Sequence, residues 1–215
     1  MPKHAFSHVR IWVFDLDNTL YPPSARLFDQ IKVRMTRFVM QALGVDEARA
    51  THLREEYWHR YGTTLAGLMR EHDVDPGPYL DEVHDISLDH LRPAPDLRDA
   101  IAALPGRKLV YTNGPRIHAE RVVAARGLAA AFDALYGVED AGFLPKPEPA
   151  AFQRIFQRDG IDPKQSAMFE DDPRNLEHPH DAGMKTVLVG PLREKAAHIH
   201  HQTEDLPGFL TRLRR

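Results

Sequence analysis

The chain has 215 residues, of which 42% are hydrophobic and 27% charged, a balance typical of a globular chain long enough to bury a full core, as one domain or a domain with a substantial insert. Its formal charge of −3 offers no bulk basic field for a nucleic-acid polymer, and its lack of cysteine excludes disulfides, thiolate metal sites and cysteine nucleophiles. No run approaches the ~18 consecutive apolar residues of a membrane span, and Met1–Phe6 leads into the first strand without a signal-peptide core, so a cytoplasmic protein is expected.

In chain order, the first expected strand is Arg10–Phe14, an apolar run that ends abruptly in Asp15-Leu16-Asp17-Asn18. A long helical stretch follows. Ser24–Leu43 carries Leu27, Phe28, Ile31, Met35, Phe38, Val39 and Leu43 at helical spacing, with Gly44 as C-cap. Asp46–Arg60, with Asp46 as N-cap, Thr64–His72 and Pro78–Leu91 complete a small helical bundle. Pro93 and Pro95 mark a boundary before a helix over Pro95–Leu104. Strands at Lys108–Tyr111, Ala134–Tyr136, Ser166–Phe169 and Thr186–Val189 are short and apolar throughout, as suits parallel strands covered on both faces. The helices Arg116–Ala125, Glu148–Gln157 and Arg174–Ala182 fall among them. This βαβ alternation predicts an α/β fold with a doubly wound, Rossmann-like parallel sheet. Thr112 follows Asp17 by 95 positions, far more than the roughly 30 residues of a βαβ unit require. The excess predicts an inserted helical cap over residues 22–90, with the α/β core formed by 1–21 and 91–215.

The chemistry is expected at the strand ends. Alternate residues of an extended segment face the same way, so Asp15 and Asp17 can address one ligand. Their mutual repulsion is relieved by a cation or by a shared proton, and Mg²⁺ with its oxygen ligands is the natural cation. Thr112-Asn113-Gly114 follows the second apolar run, Lys146 lies in Pro145-Lys146-Pro147-Glu148, and Glu170-Asp171-Asp172 follows Ala167-Met168-Phe169. An acid pair, a hydroxyl, a lysine and an acid cluster, in that order and each after a strand, resemble the four motifs of the haloacid dehalogenase superfamily.

That resemblance implies an insert of the C1 type covering the active site and a set of roles. Asp15 is the expected nucleophile, forming an aspartyl-phosphate. Asp17 is the expected general acid/base, with a pKa raised by the neighbouring acids. Thr112 and Asn113 are expected to bind phosphoryl oxygens through the hydroxyl and backbone N–H groups, and Lys146 to pair with the phosphoryl group and Asp15. Mg²⁺ is expected on the Asp15 side chain, the Asp17 backbone carbonyl and Asp171, with Asp172 either ligating directly or standing behind the direct ligands, and with Glu170 pointing elsewhere. Carbon–halogen dehalogenases of the superfamily lack an acid two positions after the nucleophile, because a halide leaves without a proton; Asp17 therefore points to phosphoryl transfer.

Asn18 and Tyr21-Pro22 look like the pyrimidine 5′-nucleotidase branch, as do Tyr61-Gly62-Thr63-Thr64-Leu65 and the run Phe169–Leu176, in which Pro173 stands where that branch often has Ser. The expected activity is hydrolysis of small phosphomonoesters such as UMP and CMP. The alternatives are a phosphatase for sugar phosphates or phosphoglycolate, and a sugar-phosphate mutase. A non-catalytic binding protein of this fold would show decay of a catalytic position, and none is replaced. His178, His180, His198, His200 and His201 read as exposed side chains rather than a metal site, Trp12, Tyr57, Trp58 and Tyr61 as packing residues, and Arg212, Arg214 and Arg215 as a solvated tail.

Overall fold

The computed structural model describes residues 2–191 and 195–214. In chain order these form α1 (Pro2–Ala5), β1 (Ile11–Phe14), α2 (Leu27–Leu43), α3 (Glu47–Tyr61), α4 (Thr64–His72), α5 (Pro76–Val83), α6 (Pro95–Ala102), β2 (Arg107–Tyr111), α7 (Arg116–Ala125), β3 (Ala134–Tyr136), α8 (Pro149–Asp159), β4 (Ser166–Glu170), α9 (Glu177–Ala182), β5 (Lys185–Val189), β6 (His201–Thr203) and α10 (Leu206–Arg214). The six strands make one sheet in the order β3-β2-β1-β4-β5-β6, and every neighbouring pair is parallel.

Period-2 alternation sorts the strand residues into two cores. Trp12, Phe14 and Phe169 face one side, where α6, α7 and α10 supply Ile101, Val122 and Phe209; Val13, Leu109 and Met168 face the other, against Phe152 and Ile155 of α8. Phe14 and Phe169 stack across β1 and β4 with ring centroids 4.6 Å apart. Burial on both faces is why these strands read as unbroken apolar runs. Trp12 is buried, and its indole N–H donates to the Pro105 carbonyl at 2.7 Å.

The strand order reverses at β1, which lies between β2 and β4. This is the topological switch point at whose carboxyl edge α/β sheets leave a crevice. Helices α2–α5 occupy the connection between β1 and α6 and pack on one another, α3 against α4 and α2 against α3 and α5. Asp46 caps α3 by accepting from the Arg49 N–H at 2.8 Å, Thr63 caps α4 through the Ala66 N–H, and Gly44 ends α2 with φ +64°. Among the described residues, no helix is long and apolar enough to cross a membrane.

Several boundaries differ from expectation. A 3₁₀ turn over Pro23–Ala25 and Arg26 in the left-handed region delay the start of α2 to Leu27. The helix expected over Pro78–Leu91 is α5 and stops at Val83, because the Ser87 hydroxyl binds both Asp89 and its backbone N–H in a local turn, and Gln30 binds the Ser87 backbone. The stretch Arg174–Ala182 divides into a 3₁₀ turn over Pro173–Leu176 and then α9. The stretch expected as a tail forms the amphipathic helix α10, with Leu206, Phe209, Leu210 and Leu213 buried; Arg212 on it is exposed, as expected, and Arg215 lies outside the described residues.

Candidate active site

Four segments meet at the carboxyl edge of β1, β2 and β4. The ladder continues one residue past β1, where the Asp15 N–H donates to the Phe169 carbonyl at 2.9 Å and fixes Asp15 beside the end of β4. Asn18 then takes φ +60°, a left-handed turn that Asn tolerates better than most residues. Its Nδ2 donates to Asp171 Oδ2 at 3.1 Å, so this residue both turns the chain and ties the first motif to the fourth.

Lys146 is the centre of the site and is only 1% exposed. Its Nζ donates to Asp15 Oδ1 at 2.7 Å, Glu170 Oε2 at 2.8 Å and the Tyr111 carbonyl at 3.0 Å, which uses all three ammonium protons. Asn113 holds the lysine's backbone reciprocally: its Nδ2 donates to the Lys146 carbonyl at 3.1 Å, and its Oδ1 accepts from the Lys146 N–H at 2.8 Å. The Asn113 side chain is thereby committed to the Lys146 loop. The Thr112 hydroxyl is buried and accepts from the Gly114 N–H at 3.0 Å, with its own proton still to donate.

The acids divide differently from the sequence expectation. Carboxylate oxygens of Asp15, Glu170 and Asp171 lie within 4.8 Å of one another, the arrangement of a hard-cation site. Asp172 is not in that group. Its carboxylate accepts from the Arg174 guanidinium at 2.6 to 3.2 Å and caps the following turn through the Arg174 N–H. Glu170, expected to point elsewhere, points in, accepting from Lys146 on one oxygen and from Asn175 Nδ2 at 2.9 Å on the other. Pro173 opens the 3₁₀ turn after Asp172, a first-turn position that needs no N–H donor.

The electrostatics follow from this crowding. Burial, above all, raises the Asp15 carboxyl, with Asp17 adding to the shift and Lys146 opposing it. Asp171 is pushed up to about 7 by burial and by the charge of Asp15. Glu170 is raised well above its ordinary range by burial and Asp15. One ammonium faces several carboxylates, and the surplus negative charge fits a divalent cation. Asp17 departs from expectation. Burial raises it, but the hydrogen bond and charge of His118, together with the Tyr21 hydroxyl, outweigh burial and leave it below its ordinary value. Tyr21 donates at 2.5 Å and His118 Nε2 lies at 3.5 Å, both on Oδ1, and Oδ2 has no hydrogen-bond partner among the described residues.

Above these groups is a cavity of about 510 Å³. Its floor includes Asp15, Asp17, Thr112 and Lys146; its other wall comes from the helices between β1 and α6, with Ile31 and Met35 of α2, Arg54 and Trp58 of α3, and Leu80 of α5. Trp58 is 43% exposed and lines this cavity rather than filling a core, with the Arg174 guanidinium 3.7 Å from its ring centroid; Tyr57 is buried as expected. Gly62 takes φ +85°, and a Cβ there would lie 3.0 Å from the Lys146 carbonyl, so the α3–α4 turn reaches the lysine loop only with glycine at that place.

The sequence model described as haloacid dehalogenase-like hydrolase matches residues 9–183, which include all four motifs. The chain belongs to the haloacid dehalogenase-like hydrolase family. Among curated proteins, this family member is 29% identical over 211 residues to Phosphate metabolism protein 8 of Saccharomyces cerevisiae, covering 91% of the chain and 62% of that protein. It is 32% identical over 127 residues to the Fructose-1-phosphate phosphatase YqaB of Escherichia coli, covering 56% of the chain and 66% of YqaB. The alignments thus span less than two-thirds of the length of either relative. Among solved structures, the magnesium-bound YfnB of Bacillus subtilis superposes with a TM-score of 0.63 at 16% identity, covering 96% of this chain and 99% of YfnB, which is a likeness of fold.

Sequence reasoning missed His84 and His118. His118 is buried against Asp17, and the His84 ring is 4.9 Å from it at the cavity wall, held neutral by burial, which lowers its pKa to about 4. The available signal was a histidine beside the buried Ala119, Val122 and Val123 of α7, one helical turn past the Thr112 motif. Two of the histidines near the end of the chain make local contacts: His200 Nδ1 pairs with the Thr186 hydroxyl at 2.7 Å, and the His178 ring lies against Phe152.

Proposed function

We propose that this hydrolase is a Mg²⁺-dependent phosphomonoesterase that works through an aspartyl-phosphate on Asp15. The observation that carries the reading is the single-cation, multiple-acid arrangement at the switch point. Asp15 is held by Lys146 beside Glu170 and Asp171, and Asp17 presents a free carboxylate oxygen to the same cavity. In the first step an Asp15 oxygen bonds to phosphorus as the ester P–O bond breaks, and Asp17 gives its proton to the departing alkoxide. In the second step Asp17 takes a proton from water, whose oxygen attacks phosphorus and frees Asp15. The lowered pKa of Asp17 suits the second step, and an incoming phosphate dianion raises it towards the protonated form that the first requires. Thr112 donates its hydroxyl proton to a phosphoryl oxygen, and Asn113 acts by holding the Lys146 loop and through its backbone N–H. Asp15, Asp171 and the Asp17 carbonyl would hold Mg²⁺, with Glu170 or Asp172 adjacent. Mg²⁺ supplies charge neutralisation of the phosphoryl oxygens and in-line orientation.

Asp17 argues against carbon–halogen chemistry, which needs no proton donor for its leaving group. Residues 22–90 serve as the cap on a core of 1–21 and 91–215. The preferred substrates are pyrimidine 5′-nucleotides, UMP and CMP, a reading supported by Asn18, Tyr21-Pro22 and Tyr61–Leu65. Two of these motifs also make contacts within the site: the Asn18 amide donates to Asp171, and Gly62 packs against the Lys146 loop. The similarity to YqaB favours a second reading, a sugar-phosphate phosphatase. A mutase would use the same residues but release no net phosphate.

The test is phosphate release from a panel of nucleoside monophosphates and sugar phosphates, with Mg²⁺ and with EDTA. Mg²⁺-dependent release strongest from UMP or CMP supports both levels of the proposal. Release strongest from sugar phosphates selects the second reading, and no release from any ester refutes the phosphomonoesterase.

A further inference from the structure

Arg54 projects from α3 into the wall of the cavity that holds Asp15 and Asp17. Its Nη1 donates to the Thr36 hydroxyl at 2.8 Å, and that hydroxyl donates in turn to the Lys32 carbonyl at 3.0 Å, so the guanidinium is tethered to α2. Its Nε is enclosed without a hydrogen-bond partner, and among the described residues Nη2 has no partner and no carboxylate pairs with the group. The neighbouring wall is apolar, formed by Ile31, Met35, Leu65 and Leu80. Burial pulls the guanidinium below its ordinary pKa, opposed by Tyr79 and the exposed Glu55. The side chain is half-buried, and a guanidinium beside an apolar wall with no carboxylate in hydrogen-bond reach among the described residues favours an acceptor supplied by a ligand. Of the other cations lining the cavity, Lys146 is saturated by its three protein acceptors and Lys32 is exposed to solvent over the Phe28 ring, which leaves Arg54 as the half-buried cation with a donor to spare.

We propose that Arg54 is a specificity-determining residue whose free Nη2 donates to an acceptor oxygen on the part of the substrate remote from the phosphate. The class of group it takes is a carbonyl or carboxylate oxygen, since a guanidinium has donors only. On a pyrimidine nucleotide this is the ring carbonyl shared by uracil and cytosine. The inference rests on the phosphomonoesterase reading of the cavity, and its test is separable from that reading.

With EDTA present to prevent turnover, calorimetry gives the dissociation constants of UMP and of ribose 5-phosphate, which shares the phosphate and sugar but lacks the base. Wild type is expected to prefer UMP, and Arg54→Met to lose that preference by about 10- to 100-fold, the range of a hydrogen bond to a charged donor. A folded Arg54→Met protein with an unchanged ratio, or a wild type with no preference, overturns the proposal. If Arg54→Met does not fold, the wild-type affinities for UMP and 2-thio-UMP, in which sulfur replaces the shared ring carbonyl oxygen, are compared instead, and equal affinities overturn the proposal. Phosphate release with Mg²⁺ tests the activity independently, so either idea can fail without the other.

Discussion

Replacing Lys146 with Met should turn the most buried part of the site into a strong and pH-dependent defect. The lysine joins Asp15 Oδ1, Glu170 Oε2 and the Tyr111 carbonyl at 2.7 to 3.0 Å in a position 1% exposed to solvent. Met fills much of the same volume, so the loss is electrostatic rather than a cavity. Removing one partner of a buried ion pair typically costs about 3–5 kcal/mol because the other charge is left uncompensated. Two carboxylates are stranded here, which places the expected loss towards the upper end at neutral pH and above. The stranded acids can escape by binding protons, and both already have raised pKa values. Without Lys146 their pKa values rise further. The variant therefore binds more protons than wild type, and its extra instability should shrink as pH falls, by roughly 1.4 kcal/mol per pH unit for each extra proton. Urea unfolding of both proteins in metal-free buffer, at about pH 8 and about pH 5.5, reads both quantities. A loss below about 1 kcal/mol, or one equal at the two pH values, would refute the view that Lys146 is a buried counter-charge. Adding Glu170→Gln to the variant should restore part of the stability, because it removes one of the two stranded charges.

Two further outcomes are expected. Mg²⁺ affinity should rise about tenfold per pH unit up to about 7 and then level off, because Asp171 must lose its proton to ligate. The sign follows from its raised pKa: the protonated carboxyl favours the metal-free protein at low pH, and that advantage is lost as pH rises through about 7. Calorimetry in buffers of different ionisation enthalpy measures the proton release, and an affinity independent of pH below 7 would remove Asp171 as a titrating ligand. Gly67→Ala places a Cβ 2.2 Å from Cγ of the buried Tyr57, where α3 and α4 meet, and should destabilise by at least the roughly 1–3 kcal/mol typical of overpacking. Because α3 also carries Arg54 and Trp58, KM should rise with it; thermal unfolding and steady-state kinetics check both, and an unchanged melting temperature would contradict the contact.

The parallel core was legible in the sequence because its strands are covered on both faces, which compels apolar runs such as Trp12-Val13-Phe14 and Ala167-Met168-Phe169. What escaped notice was governed by other forces. Strand β6 is His201-Gln202-Thr203, a polar edge strand paired among the described residues with β5 alone, so it carries no hydrophobic signal. The end of α5 was invisible because Ile86 and Leu91 stay buried and keep an apolar pattern going after the helix has stopped. Burial and helicity are separate properties, and periodicity reports only the first.

The sequence by itself determined the chemistry available: which acids, which lysine and which hydroxyl follow the strands, and in what order. That follows from chain direction, since in a parallel sheet every strand delivers its next residues to the same edge. Only the tertiary structure decided how those groups divide the work. Asp172 and Glu170 sit two residues apart in one acidic run, yet Arg174 draws Asp172 away while Lys146 draws Glu170 in. His118 reaches Asp17 from 101 positions along the chain and reverses the expected shift of its pKa. Arg54 gains meaning only where α3 meets the cavity, with no acid pairing it among the described residues. Pairing, burial and counter-charge depend on distances across the fold, and local spacing along the chain does not encode them.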